Sequence, residues 1–230
     1  MTSLVLIPGL LSNHALWSSQ VAGLARYAEI VVADLSNQGT ISEMASAVLG
    51  RAPEHFSLAG FSLGSQVALE IMSTARDRVE RLALLSATHG GLLPPIEIAL
   101  RRAIESIEQG GFDGYLEAIF PTYVSAARAA DPMLKRCFLE MAHAVGQDAG
   151  LRQMRALLAI KHPFSSTSQI RCPTVIVGGR DDHRTTPAAH EALANQIPGS
   201  ELVIIDDAGH FTPLEQPSIV TGVLRRWITR

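Results

Sequence analysis

Phe56-Ser57-Leu58-Ala59-Gly60-Phe61-Ser62-Leu63-Gly64-Ser65-Gln66-Val67-Ala68-Leu69-Glu70-Ile71-Met72 runs from a short apolar segment, through a serine set between glycines, into an apolar pattern of helical spacing. Read as strand, sharp turn and helix, it puts Ser62 at the tip of the turn. There the backbone must take a strained conformation that only small neighbours permit, and the hydroxyl projects at the edge of a sheet, as a nucleophile elbow requires. Five residues of pattern are also compatible with an ordinary strand-to-helix turn and an incidental serine. The rest of the chain decides between the two.

Upstream, Leu4-Val5-Leu6-Ile7 stops at Pro8-Gly9 and reads as a strand buried on both faces. Leu16, Trp17, Val21, Leu24 and Ala25 recur at helical spacing, and Ile30-Val31-Val32-Ala33 reads as a second buried strand. A helix capped by Thr40 or Ser42 follows, through Met44, Ala45 and Val48 to Leu49, with Gly50 and Pro53 past its end. Downstream, Arg81 to Ser86 makes a fourth strand. From residue 87 to 162 only amphipathic helical segments appear, four in number. Strands resume at Pro173 to Gly179 and at Leu202 to Ile205, with helices from Pro187 to Ala194 and from Ser218 to Ile228. Alternating strands and helices predict an α/β fold: a mostly parallel sheet of about six strands, with right-handed crossovers and helices on both faces. The expected core is 1–86 with 163–230, and 87–162 is expected to be a helical insertion.

The chain has 230 residues, 47% apolar and 18% charged, with a net charge of -3. That suits one globular domain with an insertion and supplies no basic footprint for nucleic acid or for a membrane surface, so a small-molecule partner is expected. Cys137 and Cys172 are too few for a disulfide framework, and both are read as reduced. Met1 to Gly9 lacks a basic n-region, and no stretch approaches the length of a membrane span, so a cytoplasmic location is expected. The histidines show no HxH or HExxH spacing, and no metal is expected. The oligomeric state is left open.

Ligands of open parallel sheets bind at the carboxyl ends of the strands. Here those ends carry Pro8-Gly9-Leu10-Leu11, Ser62, Gly179-Arg180-Asp181-Asp182-His183 and Asp206-Asp207-Ala208-Gly209-His210. A serine, two candidate aspartates and a histidine therefore meet on one rim. Serine is a weak nucleophile at neutral pH and needs a base within hydrogen-bond reach, which in turn needs an acid to fix its tautomer. His210 can be the base. Asp181 and Asp182 are adjacent, so only one can face it. Asp206 and Asp207 read as turn formers, His14 as a pocket or surface residue, and His183 as a poor competitor because it sits beside the acid. His55, His89, His143, His162 and His190 read as solvated or structural, with His89 and His143 placed where an insertion could meet substrate.

The chain resembles the α/β-hydrolase superfamily over nearly its whole length. The elbow carries the resemblance, as do Pro8-Gly9, Cys172-Pro173-Thr174 leading to Gly179-Arg180-Asp181-Asp182, and, most specifically, Ala208-Gly209-His210-Phe211-Thr212-Pro213-Leu214-Glu215-Gln216-Pro217. It implies a catalytic triad, a cap made by the insertion, and no cofactor. The family's acid stands three residues after the strand-ending glycine, which selects Asp182 from Gly179 or Asp181 from Gly178; counting back from Ile197-Pro198-Gly199 also selects Asp182, which is preferred. Some relatives carry the acid after the fourth strand, where Ser86-Ala87-Thr88 offers none. The oxyanion donors implied are the backbone N–H groups of Leu63 and Leu10. Many relatives have His-Gly in place of Pro8-Gly9, and Pro8 has no N–H to donate. Ser65 stands where many relatives have a second glycine, so the helix is expected slightly farther from its strand.

The expected activity is that of a serine hydrolase acting by acyl transfer on an ester or thioester of a small to medium apolar substrate. Two alternatives use the same fold: carbon-carbon bond cleavage, lactone opening or a cofactor-free elimination with the same triad, and a non-catalytic ligand-binding protein on a hydrolase scaffold.

Overall fold

A computed structural model describes residues 2–160 and 167–230. Six strands, β1 (Thr2–Ile7), β2 (Ala28–Val32), β3 (Phe56–Phe61), β4 (Val79–Leu85), β5 (Thr174–Gly179) and β6 (Glu201–Ile205), form one sheet in the order β2-β1-β3-β4-β5-β6, every neighbouring pair parallel. β3 and β5 are buried at every residue and the last four residues of β1 are buried, as continuous apolar runs demand. β2 is different. It lies at the sheet edge, only Ala28 is buried, exposed Glu29 and Val31 alternate with half-buried Ile30 and Val32, and Val31 is 39% exposed. The apolar run read as a buried strand is thus half covered at most, with no strand beyond it to shield its outer side.

Leaving β1, the chain turns back through α1 (Ser18–Leu24) to β2 and then crosses over β1 through α2 (Ile41–Arg51) to β3. With right-handed crossovers, α1 lies on one face while α2, α3 (Leu63–Thr74) and α8 (Pro187–Gln196) lie on the other. The contacts agree: α2 packs on α3, and α1 packs on the final helix α10 (Pro217–Thr229). The strand order reverses between β1 and β3, and an open α/β sheet leaves its crevice at such a switch point. The turns after these two strands carry Leu10 and Ser62.

Thr40 caps α2 in a reciprocal capping box with Glu43. The helix runs on to Arg51, so Gly50 lies inside it and not beyond its end. Between β4 and β5 the described residues hold α4 (Pro94–Glu108), α5 (Phe112–Ile119), α6 (Pro132–Val145) and α7 (Gln147–Leu158). They bury the apolar stripes that the sequence shows, Leu100, Ala103 and Ile107 on α4 and Leu134, Phe138 and Met141 on α6. The expected boundary at 162/163, and His162 itself, lie outside the described residues. A one-turn helix, α9 (Thr212–Glu215), follows the His210 loop and was not read from the sequence. No described helix is long and apolar enough to cross a membrane.

At the elbow, Ser62 has φ 53° and ψ -113°, a region L-residues rarely enter. The glycines beside it are required by space. A Cβ on Gly60 would lie 2.3 Å from Gly64 O, and one on Gly64 would lie 2.3 Å from Ile7 O and 2.7 Å from Pro8 O. Ser65 is accommodated at this contact with no exposed surface, its hydroxyl donating to Gly60 O at 2.7 Å and Leu85 O at 3.0 Å.

Because only backbone surrounds it, Gly64→Ala is expected to destabilise the fold by more than about 3 kcal/mol. Gly50→Ala, with nothing within 4 Å of the new methyl group, is expected to stabilise it by about 0.5 to 1 kcal/mol. Urea denaturation of the two variants checks both; a Gly64→Ala protein as stable as wild type contradicts the close approach.

Candidate active site

Three strand ends bring the predicted side chains together. His210 Nε2 is 2.9 Å from Ser62 Oγ, and His210 Nδ1 is 2.8 Å from Asp182 Oδ2. Since an aspartate oxygen can only accept, the network assigns the proton to Nδ1 and leaves Nε2 to accept from the serine hydroxyl. His210 and Asp182 are almost completely buried, and the imidazole lies against the rings of Phe61 and Tyr123, with centroids 5.3 and 5.4 Å away.

Asp182 is fully provided with donors. Oδ1 accepts from the backbone N–H groups of Arg184 at 2.8 Å and Thr185 at 2.9 Å, while Oδ2 accepts from the Thr185 hydroxyl and the imidazole. Burial pushes its pKa up, but the neighbouring His210 and the Thr185 donors outweigh burial and hold it down at about 2. Asp181 is exposed and donates its own N–H to Ala208 O, so of the two aspartates it is Asp182 that meets the imidazole. Asp207 occupies a turn with φ 54° and Asp206 pairs with Arg180.

The elbow places Leu63 N–H at the first position of α3, where an amide has no intrahelical partner. In the loop after β1, the N–H of Leu11 donates to Gln153 Oε1 at 2.9 Å and that of Ser12 to Gly9 O at 3.2 Å. Gln153, on α7, in turn donates to Leu35 O at 3.2 Å and so ties this loop to the one after β2. Leu10 and Leu63 both line the cleft in front of Ser62.

Several supporting residues were not singled out from the sequence. Ser86, at the end of β4 with φ 48°, donates its hydroxyl to His210 O at 2.7 Å. Thr185 completes the carboxylate's donors. Glu215 accepts from Gly209 N at 2.9 Å through one oxygen and from Ser125 N at 2.7 Å through the other, and burial raises its pKa against the pull of these two N–H groups. It thereby joins the His210 loop to the segment between α5 and α6. A Cβ on Gly209 would fall 2.5 Å from Val124 C, so the two segments lie in direct contact. His190 is completely buried: its Nε2 accepts from Ala87 N at 3.2 Å, its Nδ1 donates to Thr186 O at 2.9 Å, and burial lowers its pKa although Asp182 works the other way. Of the other histidines, His14, His55 and His183 are exposed, His143 is half exposed beside Asp113, and His89 contacts Thr167; none of these five lines the cleft.

The cleft is a narrow slot with a cavity volume of about 50 Å³. Leu92, Leu93, Ile96, Leu100 and Leu157 make its apolar wall. Polar atoms come from Gln66, Thr88 and Arg184, whose guanidinium lies 4.4 Å from the Tyr123 ring centroid. Phe112 and Phe120 are buried packing residues.

The model of the alpha/beta hydrolase family matches residues 4–221. The protein named "Putative carbamate hydrolase RutD" of Escherichia coli O44:H18 is 28% identical over 244 aligned positions, which cover 96% of this chain and 87% of that one. Among solved structures, the enol-lactonase of Burkholderia xenovorans LB400 superimposes with a TM-score of 0.90 at 20% identity, covering 100% of this chain and 92% of that one. The thermophilic esterase of Thermogutta terrifontis gives 0.86 at 24%, covering 100% and 90%.

A fluorophosphonate is expected to label Ser62, and Asp182→Asn to slow that labelling about a thousandfold or more by favouring the wrong imidazole tautomer. Asp181→Asn is expected to change it by no more than about twofold, because an exposed side chain off the hydrogen-bond chain contributes little. Mass spectrometry of the adduct over time distinguishes the two.

Proposed function

The chain belongs to the alpha/beta hydrolase family, and on that footing we propose that it is a serine hydrolase that cleaves carboxylic ester or thioester bonds of a small, largely apolar substrate by acyl transfer. The observation that carries this is the continuous hydrogen-bond chain from Ser62 through His210 to Asp182 at the bottom of an apolar slot. Ser62 Oγ attacks the carbonyl carbon while its proton passes to His210 Nε2, and Asp182 stabilises the imidazolium that results. The N–H groups of Leu63 and Leu10 receive the oxyanion. The tetrahedral intermediate collapses, His210 returns the proton to the departing alkoxide or thiolate, and the acyl group stays on Ser62. Water, giving a proton to His210, then attacks the acyl-enzyme and frees the acid and the serine. Every proton moves between Ser62, His210, substrate and water, so no cofactor is needed.

In this reading the insertion acts as the cap, since Leu92 and Leu93 before α4, Ile96 and Leu100 on α4 and Leu157 on α7 supply the slot's apolar wall. The narrow space favours short acyl groups. Lactone opening is a second reading that the neighbours favour: the enol-lactonase shares the fold, and a cyclic ester passes through the same steps with the leaving group still tethered. A carbamate, the substrate type named for the curated relative, also presents a carbonyl to the same serine.

Turnover of p-nitrophenyl esters of increasing acyl length is expected to peak at short chains and fall steeply for octanoate and longer. Ser62→Ala is expected to reduce kcat by about four orders of magnitude or more. Ester turnover that survives unchanged in Ser62→Ala would overturn the proposal.

A further inference from the structure

Arg184 is a cation on the wall of an otherwise apolar slot. It follows Asp182 by two residues, and the two backbone N–H bonds that Asp182 accepts from Arg184 and Thr185 fix the course of the chain there. Its guanidinium lies over Tyr123, 4.4 Å from the ring centroid, and that centroid is 5.4 Å from the centroid of the His210 ring. The charge therefore sits no farther from the imidazole than those two steps together. Among the described residues six other arginines are paired with a carboxylate: Arg101 with Glu97, Arg128 with Asp131, Arg136 with Glu140, Arg155 with Glu108, Arg180 with Asp206 and Arg230 with Glu201. Among the described residues no aspartate or glutamate lies within ion-pair distance of the Arg184 guanidinium, and its contact is the face of an aromatic ring. Over that ring the guanidinium makes no hydrogen bond to a described residue, which leaves its N–H fork to meet a planar anion, and the half-buried setting weakens competition from water.

We infer that Arg184 is a specificity-determining residue that binds a carboxylate carried by the substrate, so that the preferred ester, thioester or lactone bears a carboxylate besides the bond that is cleaved. This rests on the serine-hydrolase reading for the bond cleaved, but not for the anion bound. The apolar wall then holds the short carbon segment between the two groups. Because the anion site lies beside the slot and off the hydrogen-bond chain, it contributes to KM and to orientation more than to the proton transfers.

Two measurements test it. In the first, p-nitrophenyl hemisuccinate and hemiglutarate are compared with the uncharged p-nitrophenyl butyrate and valerate, and 4-(butyryloxy)butanoate, which carries its carboxylate on the alcohol side, with the uncharged butyl butyrate. The anionic member of a pair is expected to have the higher kcat/KM by about ten- to a hundredfold at low salt, the range for a charge-assisted bond, with most of the gain in KM. Arg184→Met is expected to abolish the preference, and Arg184→Lys to keep part of it. In the second, Ser62→Ala protein is heated with glutarate or with the uncharged dimethyl glutarate; glutarate alone is expected to raise Tm, and the rise is expected to vanish in the Ser62→Ala, Arg184→Met double variant. Turnover of neutral esters with no anion preference on either side, and no glutarate stabilisation, overturns the role of Arg184 while leaving the hydrolase reading intact. Glutarate stabilisation that depends on Arg184, without turnover of any ester, keeps the anion site and removes the hydrolase reading.

Discussion

Backbone packed against backbone at the elbow is the constraint on which the rest depends. Gly60 faces the carbonyl of Gly64, and Gly64 faces the carbonyls of Ile7 and Pro8, at separations that leave no room for a single methyl group. α3 is thus seated on β3 and against the end of β1, and the chain can make the turn only by driving Ser62 to a positive φ. The cost of that conformation, about 1 to 3 kcal/mol for a residue of this kind, is offset by strand pairing on both sides of β3. What results is a hydroxyl and an amide, Ser62 Oγ and Leu63 N–H, presented together at the crevice beside the end of β1.

A second constraint concerns charge. A nearly dry carboxylate costs several kcal/mol unless its lone pairs are filled, and Asp182 meets that demand with two backbone amides, one hydroxyl and one imidazole. Three of these four donors come from the turn that follows β5, so the residue order Asp182, His183, Arg184, Thr185 makes most of the acid's environment and, in the same four residues, places a cation at the slot. His190 behind them is buried, burial lowers its pKa, and its Nε2 accepts from Ala87 N.

Much of this was legible. Apolar runs at β1, β3 and β5 and the glycine-flanked Ser62 are local signals, and the rim rule gathers Ser62, the Asp181-Asp182 pair and His210 from stretches far apart in the chain, with the preference for Asp182 coming from the family resemblance. Other features were not. Ser86 reaches His210 O across 124 positions, and Glu215 reaches Ser125 N across 90; a bond from a side chain to a distant backbone group leaves no periodicity. The edge position of β2 depends on the crossover order, which a run of Ile30, Val31 and Val32 does not encode. Likewise Arg184 reads as one more charged loop residue until Tyr123 is seen beneath it.

Glu215 holds one oxygen to the residue before His210 and the other to Ser125, while Phe211 N–H donates to Tyr123 O at 2.9 Å and Arg128 donates to Glu215 O at 3.3 Å. Mechanically this makes Tyr123 to Arg128 part of the histidine's own loop, although the chain places it among the inserted helices. The two walls of the slot therefore differ in compliance. The Tyr123 side is rigidly referenced to the imidazole, and any widening that admits a substrate falls to the opposite wall, where Leu92, Leu93 and Ile96 hang from the start of α4.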